Sequence, residues 1–397
     1  MIKNNLETTN KSSVVLKPGK EKAILNRHHW IFSGAVKSMP DSENGSVLPV
    51  YSAKGKLLGS AYFNTKTSIT GRMLTFDAAS PLQAIDNNIQ ESVAFRQQLF
   101  DRTITNSYRI INGEGDKLPG LIADLYNDVI VIQITTLGME RLKSFIIKFL
   151  ICNISPHCVY EKSDVPSRHE EGLHDTEGIL FGSLPDRLII TENNLQFIVD
   201  VEHGQKTGFF LDQRENRKLV HSLSNNKRVL NCFSYTGGFT VYAAHGGAVR
   251  VDSVDSSDTV IELARENCSL NQLKTSLNFF VDNVFTFLRN NELPYDLIIL
   301  DPPAFAKKKD DVVKACRGYK DINRLVLQKM PHNSYLLTCS CSYYVDERLF
   351  QTIVFQAALE AKRNVRIIQK HHLAFDHPIN IYHPEGNYLK SLLLYVE

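Results

Sequence analysis

The sequence predicts an α/β protein in which a doubly wound, Rossmann-like sheet follows a small β-barrel and a small α+β unit. From about residue 188 onward, short apolar segments alternate with longer amphipathic ones, as strands and helices do in a parallel sheet. Before residue 78, short apolar segments are broken by glycines, which is typical of a small barrel. A length of 397 residues suits two or three domains.

The first two units are predicted from the spacing of apolar runs and turns. A flexible tail over 1–13 precedes the barrel, which is expected over 14–78, and the central α+β unit is expected over 79–187. The central unit starts with a polar helix, continues as an antiparallel meander and ends with a second helix and a strand. Their predicted bounds are 84–106 and 138–150 for the helices, 110–134 for the meander and 158–161 for the last strand.

The third unit, 188–397, carries the alternating pattern. Apolar runs predict its strands at 228–231, 248–255, 277–281, 297–300 and 334–338. Amphipathic segments between and around them predict helices at 212–224, 239–245, 256–271, 283–290, 319–330 and 346–361.

Composition excludes several classes of protein. With 43% hydrophobic and 22% charged residues the chain is typical of a globular protein, and its apolar runs are too short to span a membrane. The first residues lack the apolar core of a signal peptide, so we expect a cytoplasmic location. The seven cysteines lack zinc-finger spacing, so we expect reduced thiols and no metal site. A net charge of +2 neither requires nor excludes nucleic acid.

The most informative segment runs from Leu297 to Phe305. An apolar run that ends in Asp301, two prolines and an aromatic residue indicates a buried parallel strand that opens into a rigid loop. Such a loop can hold a flat heterocycle against Asp301, Pro302 and Phe305. Cys341 follows the next strand of the same sheet, so it can face the same crevice, and the pair suggests modification of a base.

A second set of residues predicts a nucleoside cofactor. The first strand runs into Gly237 and Gly238, and the next strand ends in Asp255, whose carboxylate can bind two ribose hydroxyls. The pair Asp282 and Asn283 follows the third strand and can read an adenine edge. The turn lacks the phosphate-binding Gly-x-Gly-x-x-Gly pattern, so S-adenosylmethionine fits, with its methionine end over residues 231–238.

Three lysines, Lys307, Lys308 and Lys309, directly follow the Asp301 loop. They would place positive charge at the mouth of the crevice, where a phosphate backbone would run. A solvated loop explains the same residues equally well.

The sequence resembles, along nearly its whole length, the bacterial cytosine-5 methyltransferases of large-subunit ribosomal RNA. That family joins a PUA domain, a small central domain and a class I S-adenosylmethionine-dependent methyltransferase domain. The similarity rests on several ordered segments, of which 206–214 is the most specific. The segments are 27–35, 162–173, 206–214, 231–239, 301–305, 340–342 and 385–390.

The resemblance implies formation of 5-methylcytidine in large-subunit ribosomal RNA. Carbon 5 of cytosine is a poor nucleophile, so a thiolate first adds to carbon 6; Cys341 matches the family nucleophile and Asp301 would stabilise the adduct. Relatives of this architecture also imply a homodimer. The expected contacts are Pro302 and Phe305 for the base, Asn231, Phe233, Tyr235, Gly237, Asp255, Asp282, Asn283 and Gln213 for S-adenosylmethionine, and Arg27, Lys307 and Lys308 for RNA.

The chain departs from the family at three places. Tyr343 and Tyr344 stand where histidines are frequent, His29 replaces a common proline, and Asn283 replaces an acid. The tyrosines bear on contact with the target base, and Asn283 bears on binding of adenine. Apart from Cys341 and its neighbour Cys339, the cysteines are expected to be buried and inert.

Other readings fit parts of the sequence. An exocyclic-amine or guanine methyltransferase would also use Asp301, Pro302 and Phe305, but it needs no thiol. A non-catalytic RNA-binding protein would keep the fold without the reaction, and the intact acid, turn and thiol argue against it. The barrel can serve as a dimer or interdomain packing unit instead of binding RNA. Phe209 and Phe210 can belong to the core or line the cofactor pocket.

Overall fold

The computed structural model describes residues 12–306 and 308–397. Most of the predicted tail, and Lys307 with its predicted RNA contact, therefore lie outside the described residues. Two compact units make up the chain, and each contains segments that are distant in sequence. The first unit extends to Ile190 and includes Val199–Phe209 and Phe375–Gly386, whereas the second comprises Thr191–Ile198, Phe210–Ala374 and Asn387–Glu397.

The first unit begins with a six-stranded mixed sheet. Its strands lie in the order β2-β6-β5-β4-β1-β3, and its core includes Val14, Leu16, Ile31 and Phe63. The short apolar strands pack their buried residues into this core, as the apolar segments broken by glycines in the sequence predict. The elements are β1 (Val14–Leu16), α1 (Lys22–Leu25), β2 (Trp30–Ile31), β3 (Val36–Ser38), β4 (Val47–Tyr51), β5 (Leu57–Phe63) and β6 (Gly71–Met73).

A five-stranded sheet with two long helices completes the first unit. Its strand order is β11-β10-β9-β8-β7, and β7, β8 and β9 form the predicted antiparallel meander. The elements are α2 (Pro81–Leu99), β7 (Ser107–Asn112), β8 (Leu121–Tyr126), β9 (Val129–Ile134), α3 (Leu137–Ile154), β10 (Cys158–Ser163), α4 (Pro166–Glu170) and β11 (Thr176–Gly182).

The predicted helix over 84–106 is wrong at its end, because α2 stops at Leu99. Phe100 turns into an extended conformation and stacks on Tyr108 with ring centroids 4.9 Å apart. The Asp101 carboxylate then accepts hydrogen bonds from the amide and hydroxyl of Thr103, which favours a turn over a further helical turn.

The second unit contains a seven-stranded sheet in the order β16-β15-β14-β17-β18-β20-β19. All neighbours are parallel except β20, which runs antiparallel between β18 and β19. The predicted doubly wound sheet is therefore confirmed, and its strand order reverses at β14 and β17, where ligands bind in such folds.

The elements that lead into and form this sheet follow in chain order. A two-stranded sheet, β12 (Leu188–Glu192) and β13 (Leu195–Val199), precedes it. The strands are β14 (Arg228–Cys232), β15 (Arg250–Asp255), β16 (Ser276–Val281), β17 (Leu297–Leu300), β18 (Ser334–Ser340), β19 (Val365–His371) and β20 (Lys390–Val396). The helices are α5 (Arg214–Leu223), α6 (Gly238–His245), α7 (Asp258–Leu270), α8 (Val284–Asn290), α9 (Val312–Lys329) and α10 (Glu347–Ala361).

The predicted helix over 319–330 begins too late, because α9 starts at Val312. The first half of α9 is not predicted because Gly318 interrupts the helical pattern, and glycine normally weakens a helix. Here it has a packing role: a Cβ at Gly318 would lie 3.1 Å from the Phe305 ring. The glycine therefore lets the helix approach the Asp301 loop closely.

Most of the cysteines expected to be buried are so. Cys158, Cys232 and Cys268 are buried and Cys316 is half-buried, but the expectation is wrong for Cys152, which is exposed near the end of α3. In the part of the chain that the structure describes, no helix is long and apolar enough to cross a membrane.

A buried cluster of charged residues connects the end of β12, near the start of the second unit, to helices α5 and α6. Glu192 accepts hydrogen bonds from Arg214 (3.0 Å), from Arg217 (2.7 and 2.8 Å) and from the Tyr242 hydroxyl (2.9 Å). Burial alone would raise the pKa of the Glu192 carboxyl, but Arg217 and Arg214 outweigh burial and leave that pKa lowered. Each charge therefore depends on the others for its solvation.

Replacing Glu192 with Gln should lower the free energy of unfolding by about 3–5 kcal/mol, because two buried arginines lose their counter-ion. Urea unfolding followed by circular dichroism measures the change. Since the pKa of Glu192 is lowered in the folded state, its contribution is present above the ordinary glutamate pKa and is lost as pH falls through the lowered value.

The matched control is Asp296→Asn, which breaks the more exposed pair with Arg228. This change should cost less than about 1 kcal/mol. Equal losses of stability in the two variants would contradict a structural role for the buried cluster.

Candidate active site

The two residues singled out for chemistry meet at the carboxyl end of the sheet. Asp301 directly follows β17 and Cys341 directly follows β18, and these strands are parallel neighbours. The Cys341 Sγ lies 3.9 Å from the carbonyl oxygen of Pro302, toward which the thiol can donate. Cys341 and Asp301 are both half-buried, so a thiol and a carboxylate are partly accessible at the same edge of the sheet.

Polar side chains from two other elements fix the Asp301 carboxylate. Gln213 donates its Nε2 hydrogen to Asp301 Oδ1 at 2.8 Å, and its own Oε1 accepts from Asn216 Nδ2 at 2.5 Å. Asn216 Nδ2 also donates to the Ser391 hydroxyl at 2.8 Å. The structure thus places Gln213, a predicted cofactor residue, against the predicted catalytic acid, where it orients one carboxylate oxygen.

One hydroxyl connects the loop after β17 with the loop after β18. Ser342 Oγ accepts a hydrogen bond from the amide of Ala306 at 3.1 Å and lies 2.9 Å from the Tyr319 hydroxyl. The Phe305 ring packs on Tyr319 with centroids 4.6 Å apart and remains half-buried. The predicted base-binding residues, Pro302 and Phe305, therefore lie in a loop whose end is hydrogen-bonded beside Cys341.

Lys390 belongs to this site, although sequence reasoning gave it no role. Its side chain is buried, and Nζ donates to the carbonyl oxygens of Ser342 and Tyr388 at 2.7 Å each. Burial lowers the pKa of Lys390 to about 8, and negative charge at Cys341 and Asp346 acts in the opposite direction. The signal in the sequence was a lysine at the start of the largely apolar strand β20.

Cys339 is on the same strand but in a different environment. It is fully buried in the apolar core. Burial, followed by the nearby charge of Asp301, raises the pKa of the Cys339 thiol well above its usual value. Only the thiolate is an effective nucleophile, so the half-buried Cys341 is the better candidate of the two.

The turn after β14 has a strained backbone. Phe233, Tyr235 and Gly237 have φ values of 59°, 46° and 78°, so two residues with side chains adopt a left-handed conformation. The buried hydroxyl oxygens of Ser234 and Thr236 have no hydrogen-bond partner among the described residues. Buried polar atoms usually have partners, so these atoms fit a turn that binds a polar ligand.

Asp255 lies beside this turn at the end of β15. Its Oδ2 accepts a hydrogen bond from the amide of Tyr235 at 2.9 Å, and its Oδ1 accepts from the amide of Ser257 at 3.2 Å. The half-buried carboxylate is therefore held in one orientation and keeps further acceptor capacity. At the end of β14, Asn231 donates to Thr240 Oγ1 at 3.0 Å, and its Oδ1 is buried without a partner among the described residues.

The two residues proposed for adenine have different environments. The amide of Asp282 donates to the carbonyl oxygen of Asp255 at 2.9 Å, which brings the ends of β15 and β16 together. The side-chain oxygen of Asn283, Oδ1, accepts a hydrogen bond from the amide of Thr286 at 3.2 Å and caps α8. Capping occupies the acceptor of Asn283, whereas the side chain of Asp282 is half-buried next to the turn.

The structure also locates the predicted RNA contacts that it describes. Arg27 is an exposed residue of the first unit, with its guanidinium 5.3 Å from the centroid of the Phe76 ring. Lys308 is exposed in the second unit, shortly before α9. Both side chains are accessible to a polyanion.

One cluster in the first unit has the composition of a metal site: His28, His383 and Glu385. His28 Nδ1 accepts a hydrogen bond from the amide of Trp30 at 3.1 Å, so the neutral ring carries its proton on Nε2. Nε2 therefore donates to Glu385 Oε1 at 3.3 Å. His383 Nδ1 and Glu385 Oε2, the other ligand atoms of the cluster, are buried without a hydrogen-bond partner among the described residues.

Comparison with known proteins extends these observations. Residues 176–355 match the family described as S-adenosylmethionine-dependent methyltransferase, and residues 14–76 match the PUA-like domain. The predicted fold class is confirmed, and so is S-adenosylmethionine as the cofactor. The residues at the turn after β14 fit such a cofactor through the Ser234 and Thr236 hydroxyls, which lack partners among the described residues, and through the oriented Asp255 carboxylate.

Solved structures show the same fold over nearly the whole chain. A putative S-adenosylmethionine-dependent methyltransferase from Streptococcus mutans is 24% identical with a TM-score of 0.83, and the match covers 96% of this chain and 99% of that one. A putative methyltransferase complexed with S-adenosylhomocysteine is also 24% identical, with a TM-score of 0.84 and the same coverage. At this identity the likeness establishes the fold alone.

Sequence relatives are more similar. A protein of Escherichia coli (strain SMS-3-5 / SECEC) named ribosomal RNA large subunit methyltransferase I is 41% identical over 390 residues, which cover 95% of this chain and 98% of that protein. A protein of the same name from Yersinia pseudotuberculosis is 40% identical over 387 residues, with 95% and 98% covered. With this identity over nearly its full length, the chain belongs to the ribosomal RNA large subunit methyltransferase I family of S-adenosylmethionine-dependent methyltransferases.

Proposed function

We propose that the protein methylates carbon 5 of a cytidine in large-subunit ribosomal RNA through a covalent adduct on Cys341. The names of its relatives support ribosomal RNA as the substrate. The observation that supports carbon 5 is the half-buried Cys341 thiol, which lies 3.9 Å from the Pro302 carbonyl oxygen in the Asp301 loop. Methylation of an exocyclic nitrogen needs no such thiol.

The proposed reaction assigns a separate task to each group. The Cys341 thiolate adds to carbon 6 of cytosine, and the displaced electron pair makes carbon 5 nucleophilic. The Asp301 carboxylate accepts a hydrogen bond from the 4-amino group, which orients and polarises the ring. Bound S-adenosylmethionine supplies an electrophilic methyl group. A base then takes the proton from carbon 5, the carbon–sulfur bond breaks, and Cys341 leaves again as a thiolate.

Several contacts prepare these groups for the base. Gln213 donates to the Asp301 carboxylate and is itself held by Asn216, so the orientation of Asp301 is set before substrate binds. We propose that Pro302 and Phe305 contact the base, which must leave its stack to reach Cys341. Tyr343 and Tyr344 are exposed aromatic residues next to Cys341, with ring centroids 5.3 Å apart, and they offer faces for stacking of neighbouring bases.

The remaining contacts are proposals of the same kind. We assign the ribose hydroxyls to Asp255, the adenine edge to Asp282 with Asn283 beside it, and the methionine end to the turn with Asn231, Phe233, Tyr235 and Gly237. RNA phosphates would contact basic residues on both units. These residues are Arg27, Lys307 and Lys308.

Replacing Cys341 with Ala should abolish methyl transfer to ribosomal RNA, because it removes the proposed nucleophile, the half-buried thiol beside the Asp301 loop. Transfer of a labelled methyl group from S-adenosylmethionine measures the loss. Cys339→Ala is the matched control, since it removes a sulfur from the same strand, and it should retain transfer. Retained transfer in Cys341→Ala would eliminate the carbon 5 mechanism and favour an exocyclic-amine or guanine acceptor.

The adduct itself should be detectable with RNA that contains 5-fluorocytidine. Fluorine cannot leave carbon 5 as a proton does, so the carbon–sulfur bond persists after methyl transfer. Denaturing electrophoresis should show a protein–RNA complex for the unchanged chain and for Cys339→Ala, but not for Cys341→Ala. Absence of a complex from all three proteins would contradict the covalent step.

Replacing Asp255 with Asn should weaken binding of S-adenosylmethionine about tenfold or more, since hydrogen bonds to a charged acceptor are lost. Isothermal titration calorimetry gives the affinity. Asp258→Asn removes an exposed carboxylate at the start of the adjacent helix α7 and should leave affinity unchanged. Unchanged affinity in Asp255→Asn would remove this residue from the cofactor site.

A further inference from the structure

We propose that Lys390 is a positioning residue that keeps the Cys341 thiol ionised, with its ammonium as the counter-ion of the thiolate. The inference rests on the proposed function, because Lys390 would stabilise the negative charge that Cys341 needs as the nucleophile. It concerns a residue outside the Asp301 and Cys341 loops, on the antiparallel strand β20.

Strand pairing places Lys390 next to the nucleophile. In the ladder between β18 and β20, Lys390 lies opposite Ser340. Its Nζ then donates to the carbonyl oxygen of Ser342, at 2.7 Å. Cys341 lies between Ser340 and Ser342. Lys390 therefore contacts the backbone on both sides of the residue that carries the thiol.

The Lys390 ammonium has no ion pair with a carboxylate in the part of the chain that the structure describes. The residue is 2% exposed, and the hydrogen-bond partners of Nζ in the described part of the chain are two neutral carbonyl oxygens. A buried charge without a counter-ion is unfavourable. The Cys341 thiolate supplies a negative charge close enough to act on Lys390.

The other ionisable groups near this pair come from three elements. Asp346 caps α10 by accepting from the Leu349 amide at 2.7 Å, and its charge acts on Lys390. Asp301 acts on Cys339, which also interacts with Cys341. Burial raises the pKa of the Tyr319 hydroxyl to about 12, so Tyr319 is neutral at physiological pH. Lys390 is therefore the cation in this group.

Coupling between the two residues is reciprocal. Negative charge on Cys341 raises the pKa of Lys390, so positive charge on Lys390 lowers the pKa of Cys341 by the same interaction. Burial brings the pKa of Lys390 to about 8, which leaves the side chain mostly protonated at pH 7. The thiol proton passes to water, and Lys390 keeps its own proton while the thiolate attacks carbon 6 and later leaves.

The test is the pH dependence of alkylation of Cys341 by iodoacetamide, resolved from other cysteines by peptide mass spectrometry. In the unchanged protein the inflection should lie below the ordinary thiol pKa of about 8.5. Lys390→Gln removes the charge but keeps amide donors for the carbonyl oxygens. It should raise the inflection by about one pH unit, so that alkylation at pH 7 becomes about tenfold slower.

Two further variants complete the experiment. Lys390→Arg retains the charge and should keep the low inflection, and Lys370→Gln removes a partly exposed lysine from β19 and should change nothing. An unshifted profile in Lys390→Gln, or an inflection at or above about 8.5 in the unchanged protein, would overturn the proposal. The readout needs no RNA, so it is independent of whether Cys341→Ala abolishes methyl transfer.

Discussion

The parallel pairing of β17 with β18 is the constraint on which the candidate active site depends. Leu300 lies opposite Thr338 in this ladder, so the chain leaves both strands at the same edge of the sheet. Asp301 follows at once, and Cys341 follows at the end of a strand that continues slightly further. A carboxylate and a thiol that are distant in sequence are thereby brought to one crevice, beside the point where strand order reverses.

Rigidity around this crevice comes from polar groups that are already paired. Gln213 holds Asp301, and Ser342 connects the two loops. Lys390 supports the same loop from the opposite strand. The turn after β14 is different, because its left-handed residues are strained and two of its buried hydroxyls lack a hydrogen-bond partner in the described part of the chain. The groups around Asp301 and Cys341 are thus held in place by contacts within the protein. The turn after β14, in contrast, would be stabilised by binding of a ligand.

The sequence predicted the doubly wound sheet and the meeting of Asp301 with Cys341, because apolar runs and the residues after them follow rules of parallel sheets. It did not predict the start of α9, since Gly318 is favoured by packing on Phe305 and not by helix propensity. Lys390 was missed for another reason. Its role depends on the antiparallel return of β20, which a local pattern does not reveal. The orientation of Asp301 by Gln213 is likewise a contact between distant segments.

We propose that Cys341 directs the methyl group to carbon 5 of cytidine. Asp301 and Phe305 suit any base held next to a methyl donor, so the thiol alone distinguishes carbon from nitrogen as the acceptor. The most direct measurement is nucleoside mass spectrometry of large-subunit ribosomal RNA from cells with and without the protein. We expect loss of a 5-methylcytidine when the protein is absent; loss of a methylated guanosine or adenosine with 5-methylcytidine unchanged would show that the acceptor is not carbon 5 of cytidine.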